Sequence, residues 1–423
     1  RLRPSPTLSP SSMKILFLTS YDDPRDGGGA ELTIWTLIRT LVEHGHQCVV
    51  LSTHAGRGLV RLERDGVHIW RAGIRNFYWP TKEKPASQWA KLAWHAVDSY
   101  SSLMQGHLRE VLFAEQPDVV SVHSLPGWSA ASWETIRLSG TPFVQVLHDQ
   151  YSICARSSMF RGDHNCKKQC IDCKLLRLPH RGTSNYPTAV VGVSRYILDH
   201  HLAQGYFREV PVKRVIHNTR NPVHLDVHRT AEPHLGVRFG FIGRLDPSKG
   251  IEVLLDAFFR FKHSESELWI GGVGDSAYVD RLKRRTEDPR VRFLGRVRPQ
   301  DFYPEVDAVV VPSLWNDTFP GVVFEGLAYG KPVLGARRGG IPEMIQHGVN
   351  GFLFDPENAD ELVGVLASIA QNCDVRRSMS DAARASSEPF LDTDAWLRSY
   401  LDLYKEISAF TKSRARRHDL FDT

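Results

Sequence analysis

The sequence predicts two α/β domains, each built on a parallel sheet and facing the other across a cleft. Three observations carry this. Short apolar runs are repeatedly followed by a glycine turn and a stretch of helical period, the pattern of an open α/β sheet. The series stops near residue 217 and restarts at 237, and the proline-bearing stretch between, NTRNPVHLDVHRTAEPHLG at 218–236, has no periodicity. The length of 423 residues exceeds what one ordinary core covers.

In chain order, RLRPSPTLSPSS at 1–12 lacks the apolar core of a signal peptide and reads as a disordered leader, with Met13 as the functional start. Lys14–Ser20 is a buried first strand. The turn Asp26-Gly27-Gly28-Gly29-Ala30-Glu31 opens a helix with Leu32, Trp35, Leu37, Ile38, Leu41 and Val42 at helical spacing. Cys48–Leu51 is the next strand. Residues 53–85 look irregular and include the aromatic cluster Phe77-Tyr78-Trp79-Pro80. One long helix follows, whose stripe from Trp89 and Leu92 through Met104, Leu108 and Val111 is expected to face the core. Asp118–Val122 and Phe143–Leu147 are strands, the latter ending in His148-Asp149. Val190–Ser194, a helix at Arg195–Gln204 and Val212–Ile216 complete the first domain, 13–217, which carries a cysteine-bearing insertion at 150–185.

The second domain, 237–390, repeats the scheme. Arg238–Ile242 is a strand, Gly243-Arg244 a turn and Lys249–Phe261 a helix. Leu268–Ile270, Val291–Leu294 and Ala308–Val311 continue the sheet. A helix at Val322–Tyr329 stops at Gly330, Val333-Leu334 is a strand, and Gly339-Gly340 opens a short helix over Ile341–His347. Phe352–Phe354 and a helix at 357–370 follow. Two such series imply two facing Rossmann-like domains with the ligand cleft between them. Residues 391–411 read as a terminal helix and 412–423 as a basic tail.

Composition bounds the function. The net charge of +5 suits an anionic small ligand or an anionic membrane surface, and no feature points to nucleic acid. No apolar run approaches the roughly 20 residues that span a bilayer, so the expected compartment is the cytoplasm. Peripheral contact with the inner membrane face would use the aromatic cluster at 77–79 and the basic run Lys412–Arg417. Six cysteines in a chain this long do not make a disulfide scaffold.

The chemistry concentrates in Pro312–Glu343, PSLWNDTFPGVVFEGLAYGKPVLGARRGGIPE. Its strand, loop and helix order brings the carboxylates of Asp317 and Glu325 and two sets of helix-starting amides to one crevice. Carboxylates accept hydrogen bonds from sugar hydroxyls, and free helix-terminal amides suit phosphate. That combination describes a nucleotide-sugar site. Arg244 and Lys249, in FIGRLDPSKG, flank a strand-to-helix turn on the same crevice and can meet a diphosphate. The D-x-D at Asp392-Thr393-Asp394 does not follow a strand and reads as a turn or helix cap.

The run with seven residues between Asp317 and Glu325, then G-x-A-x-G-K-P-V and G-G-I-P-E, resembles the donor motif of retaining family 4 glycosyltransferases of the GT-B fold. The resemblance extends from Met13 to about residue 410. The family usually has Glu at both ends of that spacing; Asp317 is a departure that shortens the first acid by one methylene. The resemblance implies metal-independent catalysis, with no catalytic cofactor and a UDP- or GDP-linked sugar as donor. It assigns Arg244 and Lys249 to the diphosphate, Glu325 to the ribose hydroxyls and Asp317 to a hydroxyl of the donor sugar. Amides at Gly28, Gly29, Gly339 and Gly340 would complete these contacts. His148 would lie near the transferred sugar, with Asp149 orienting it, and the helix near Trp396–Phe410 would cross back to the first domain. The acceptor would be a glycan or lipid-linked glycan in polysaccharide biosynthesis. A nucleotide-sugar epimerase of the same fold and a non-catalytic sugar-binding protein stand as alternatives.

Cys154, Cys166, Cys170 and Cys173 form C-x11-C-x3-C-x2-C within twenty residues. Four thiolates can hold a structural zinc ion, and C-x2-C supplies the usual geometry. Four reduced cysteines packed in a loop are the alternative, and the sequence leaves both open.

Overall fold

The computed structural model describes residues 12–23, 28–78, 87–220 and 234–419, with side chains to Phe410. The leader, Gly27, Trp79-Pro80, most of the 218–236 stretch and the side chains of Lys412–Arg417 lie outside the described residues.

The first domain holds β1 (Lys14–Leu18), β2 (Gln47–His54), β3 (Leu59–Arg64), β4 (Val67–Gly73), β5 (Val119–Val122) and β6 (Phe143–Leu147). A two-strand hairpin, β7 (Phe160–Arg161) and β8 (His164–Asn165), interrupts it before β9 (Ala189–Gly192) and β10 (Val212–Val215). The sheet order is β10-β9-β6-β5-β1-β2-β4-β3, parallel except where β3 pairs antiparallel with β4. The central strands are runs of Val, Ile, Leu and Phe buried on both faces, as a sheet covered by helices on both sides requires. The second domain is a six-stranded parallel sheet of β11 (Arg238–Ile242), β12 (Glu267–Gly271), β13 (Val291–Gly295), β14 (Ala308–Val311), β15 (Val333–Ala336) and β16 (Gly351–Phe354). Its order is β13-β12-β11-β14-β15-β16. In each sheet the first strand is central and the order reverses beside it, between β1 and β5 and between β11 and β14. Loops at the carboxyl ends of those strands diverge there and leave a crevice. The two crevices face each other, which is the GT-B arrangement.

The terminal helix, Thr393–Asp419, returns to the first domain. Trp396, Leu397, Tyr400, Leu403, Tyr404 and Ile407 are buried in the same core as the first sheet. The Tyr404 hydroxyl donates to Ser121 Oγ at 3.0 Å. Asp392 Oδ1 accepts from the Ala395 amide at 2.8 Å, so the D-x-D is a helix cap. The backbone of the basic run continues the helix. Among the described residues, no helix is long and apolar enough to cross a membrane.

Several elements differ from expectation. Residues 59–73 form a hairpin around Asp65 and Gly66, with φ of 52° and 76°. The long helix is two, Gln88–Ser99 and Gln105–Glu115, because Tyr100 turns extended and the Ser101 amide is drawn to Ser129 Oγ. The stripe is therefore core only in part: Trp94, Met104, Leu108 and Val111 are buried, whereas Trp89 is 82% exposed and Leu92 and Leu103 are also exposed. Ile341–His347 shrinks to one 3-10 turn, Ile341–Glu343, with Pro342 supplying no amide hydrogen. Lys249 ends a 3-10 turn, Pro247–Lys249, just ahead of the helix Ile251–Arg260.

Candidate active site

The facing crevices enclose a cavity of about 640 Å³. Gly28 and Gly29 beyond β1 and His148 beyond β6 line it from the first domain. Arg244 beyond β11, Arg296 beyond β13, and Trp315, Asp317 and Glu325 beyond β14 line it from the second, with Lys249 and Arg220. Four cations thus face two carboxylates, an excess that favours an anionic ligand.

Lys249 Nζ donates to Asp317 Oδ2 at 2.5 Å and lies 5.0 Å above the centre of the Trp315 ring. The loop bearing both acids' neighbours is docked on the Lys249 turn: the amides of Leu314 and Trp315 both donate to the Ser248 carbonyl. Arg244 is exposed on the cavity wall.

Gly339 and Gly340 do not line the cavity. The Gly340 amide donates to the Asp317 carbonyl at 2.8 Å, so it is spoken for in this structure and not open to phosphate. Gly339 has φ +55°, and a Cβ there would stand 1.9 Å from the Asp317 carbonyl oxygen. The pair is glycine because the Asp317–Thr318 backbone packs directly against it. Both glycines seat the Asp317 loop, and of the two amides it is that of Gly340 that is engaged within the chain. Gly28 is similar: its amide donates to Glu31 Oε2 at 2.6 Å, which leaves the Gly29 end of the helix Gly29–Glu43 facing the cavity.

Glu325 sits on the helix Gly321–Ala328 with both oxygens engaged. Arg220 Nε donates to Oε1 at 2.9 Å and the Tyr303 hydroxyl to Oε2 at 3.1 Å. An ionised carboxylate has about four acceptor sites, so hydroxyls can still be accepted. Arg220 also donates to Thr33 Oγ1 at 3.1 Å, tying this acid to the first domain. Arg220 and Tyr303 were not among the residues singled out from sequence. Nor was Asn218, which lines the cavity with a buried Oδ1 that has no hydrogen-bond partner among the described residues.

Behind His148 runs a buried relay. Ser121 Oγ is 2.9 Å from His123 Nε2, and His123 Nδ1 is 2.9 Å from His148 Nε2, the two rings stacking at 5.2 Å. Tyr404 donates to Ser121, and with the hydrogen of Ser121 directed to His123 Nε2 the relay runs on from His123 Nδ1 to His148 Nε2. Burial keeps both rings neutral, with the His148 pKa pushed down to about 4. The proton of His148 then resides on Nδ1, making that atom a donor. Asp149 does not orient His148; its Oδ1 accepts from the Tyr151 amide at 2.7 Å. His123 does, and its position at the end of β5, beside the switch point, was the available signal.

The domains are clasped beside the cavity. Thr318 Oγ1 donates to the His148 carbonyl at 2.8 Å. Glu343 accepts from the amides of Arg195 and Tyr196, both at 2.8 Å, at the start of the helix Arg195–Ala203. Burial opposes charge on Glu343, but these amides and His217 outweigh it and hold its pKa below the ordinary value.

The four clustered cysteines lie away from the cavity. Cys154 and Cys173 are buried with their sulfurs 3.8 Å apart, and Cys166 and Cys170 are half-buried beside them.

Residues 236–372 match the family described as "Glycosyl transferases group 1", and residues 28–219 match "Glycosyl transferase 4-like domain". An uncharacterized 42.6 kDa protein in the cps region of Klebsiella pneumoniae is 28% identical over 336 residues, 78% of this chain and 87% of that protein. A D-inositol 3-phosphate glycosyltransferase of Corynebacterium jeikeium is 30% identical over 309 residues, 64% of this chain and 68% of that enzyme. Among solved structures, sucrose-phosphate synthase of Thermosynechococcus elongatus superposes with a TM-score of 0.76 at 15% identity, covering 94% of this chain and 99% of that one. HepE of Anabaena, solved in complex with UDP-glucose, gives 0.66 at 19% identity over 93% and 100%. These two likenesses concern the fold. With family matches in both domains, the chain belongs to the group 1, or family 4, glycosyltransferases of the GT-B fold.

Proposed function

We propose that the chain is a retaining glycosyltransferase that moves a sugar from a UDP- or GDP-linked donor to a glycan or lipid-linked acceptor in polysaccharide assembly, with no metal in the catalytic step. The observation that carries this reading is the cavity itself, where Arg244, Lys249, His148, Asp317 and Glu325 meet at the carboxyl ends of both sheets. The HepE neighbour binds UDP-glucose and the Klebsiella relative lies in a cps region, which supports the donor class and the pathway class.

In this reading the diphosphate draws Lys249 from Asp317, and Arg244 meets it from the facing side of the turn. Asp317, released, accepts a hydroxyl of the donor sugar. Glu325, held flat by Arg220 and Tyr303, accepts the ribose hydroxyls. His148 donates from Nδ1 to the sugar. The bond from the anomeric carbon to the leaving phosphate breaks as the bond to the acceptor oxygen forms on the same face. The phosphate oxygen takes the acceptor's proton, and the cations stabilise the charge that builds there. A neutral histidine with a pKa near 4 is a poor base, which agrees with a positioning role.

A lipid-linked acceptor fits peripheral contact with an anionic membrane. Exposed Trp89 and Leu92 on one helix and Ile171 and Leu175 on the helix packed beside it stand with exposed Lys91 and Lys174. Equal co-sedimentation with neutral and anionic vesicles would remove that part.

The test is a thermal-shift screen of nucleotide sugars, followed by NMR of the product made with the stabilising donor. A UDP- or GDP-linked sugar should stabilise the chain, and the product should keep the donor's anomeric configuration. No stabilisation by any nucleotide sugar, or an inverted product, would contradict the proposal.

A further inference from the structure

We infer that Cys154, Cys166, Cys170 and Cys173 hold one structural zinc ion that fixes the insertion against the Asp317 loop. The four sulfurs come from separate pieces of the insertion. Cys154 follows the His148-Asp149 turn, Cys166 follows the β7–β8 hairpin, and Cys170 and Cys173 sit at the start of the helix Ile171–Leu176. The i, i+3 spacing of the last two puts them on one helix face.

Two edges of the cluster, both at Cys173, approach those of a tetrahedral thiolate site. Four sulfurs each at 2.3 Å from zinc lie about 3.8 Å apart along the tetrahedron's edges. Cys154 Sγ and Cys173 Sγ are 3.8 Å apart, and Cys170 Sγ is within 4.8 Å of Cys173 Sγ. A disulfide would need about 2.05 Å. Cys166 and Cys170 line one surface hollow. Asp172 offers an oxygen within 4.8 Å of both the Cys170 and Cys173 sulfurs, but its carboxylate is exposed and also faces Arg161 at 3.8 Å, and soft thiolates suit zinc better than it does.

The insertion also has reason to need a staple. It contains a hairpin of two-residue strands and a six-residue helix whose Ile171 and Leu175 are exposed, so it buries little apolar surface of its own. Yet it carries a polar contact to the second domain. Asn165, adjacent to Cys166, donates from Nδ2 to the Leu314 carbonyl at 2.7 Å and accepts from the Asn316 amide at 2.8 Å. Asn316 directly precedes Asp317. A metal on Cys166 would thus set the position of the residue that clamps the Asp317 loop.

Metal content reads the zinc site by itself, whatever reaction the chain performs. Elemental analysis of chain purified without chelator should find about one zinc per chain, released as a mercurial titrates the four thiols. Cys170→Ser and Cys173→Ser should each lose it, while Cys373→Ser, at an exposed cysteine remote from the cluster, should retain it. Hydrogen exchange at the Asn316 amide should quicken about tenfold or more in Cys173→Ser as that clamp loosens. Mercurial release from the wild type keeps the assignment testable if a serine variant fails to fold. Far less than one zinc with four freely titrating thiols, a Cys154–Cys173 disulfide, another metal, or zinc retained by both serine variants would overturn the site. Unchanged Asn316 exchange in the zinc-free variant would overturn the coupling.

Discussion

Lys249 and Asp317 are bonded to each other across the cavity wall, Nζ to Oδ2 at 2.5 Å, with the Trp315 ring beneath the ammonium. The two groups expected to grip different parts of one donor neutralise one another. In the proposed reading, a diphosphate that takes Lys249 frees Asp317 for the sugar, so binding the first part of the donor prepares the second. The shorter aspartate keeps this contact because its loop is drawn onto the Lys249 turn through Ser248 and held from behind by Gly339 and Gly340.

Lys249→Ala should weaken nucleoside diphosphate and nucleotide sugar alike and leave the free nucleoside almost unchanged. Loss of a charge-assisted hydrogen bond of roughly 1.5–3 kcal/mol corresponds to about a tenfold to hundredfold change in affinity. Calorimetry with the three ligands checks this; unchanged diphosphate affinity would place Lys249 outside the site.

Arg220→Ala should lower affinity for the nucleoside diphosphate through Glu325, whose Oε1 loses its partner and whose carboxylate is no longer held toward the cavity. Removing one partner of a buried charged pair costs several kcal/mol at most sites, so a loss of about tenfold or more is expected. Glu325→Gln should give a smaller loss with the same ligand dependence, since the amide still offers an acceptor to ribose. A ligand-independent fall in melting temperature with binding intact would show Arg220 to be a structural clasp only.

His123→Phe should keep the stack on Phe17 and His148 but remove the proton given to His148 Nε2. The His148 tautomer is then free to switch, and turnover should fall about tenfold with little change in nucleotide affinity, the worth of one hydrogen bond of about 1–1.5 kcal/mol. Nitrogen NMR of His148 should show Nδ1 protonated in the wild type and mixed tautomers in the variant. A wild-type ring protonated on Nε2 would reverse the relay.

Acid should expose the cost of the buried histidine. Above pH 6.5 His148 is neutral whether folded or unfolded, and its stability contribution is level. Between pH 6.5 and about 4 the unfolded chain takes a proton that the folded ring refuses, so stability falls as pH falls and levels off below. The difference is ~2 kcal/mol at pH 5. Asp98 and Asp149, raised by burial to about 7 and about 6, act in the opposite sense. The comparison that isolates His148 is therefore wild type against His148→Gln: the wild type should lose more stability between pH 7.5 and 5 in denaturant unfolding, and parallel curves would refute the neutral ring.

The alternation of strand, glycine and helix made both sheets legible, because each residue in those runs reports its own burial. Asp317, Arg244 and His148 were legible as candidates for a related reason, since they lie in loops beyond strand ends, and Glu325 and Lys249 lie on the helix and turn that those loops lead into. Arg220 was not, since it lies in a stretch without local pattern and acts only through a partner 105 residues away. The break at Tyr100–Met104 was hidden because an apolar stripe continues across it, and what stops the helix is a hydrogen bond to Ser129. The 59–73 hairpin was signalled by Asp65-Gly66, a pair suited to two consecutive positive φ angles, and passed over amid irregular flanks. The expected helix after Gly340 is cut to one turn by Pro342, which offers no amide hydrogen.

The proposed transfer requires Asp317 to touch the sugar and not the nucleotide. Asp317→Ala and wild type should be compared by calorimetry with the bare nucleoside diphosphate and by turnover with the complete donor and acceptor. Freed from its 2.5 Å pairing, Lys249 should bind the diphosphate at least as well in the variant, while turnover falls by about a hundredfold, and Asp317→Glu should retain activity. Full turnover in Asp317→Ala, or a loss of diphosphate affinity equal to the loss of turnover, would rule out a sugar-contacting Asp317.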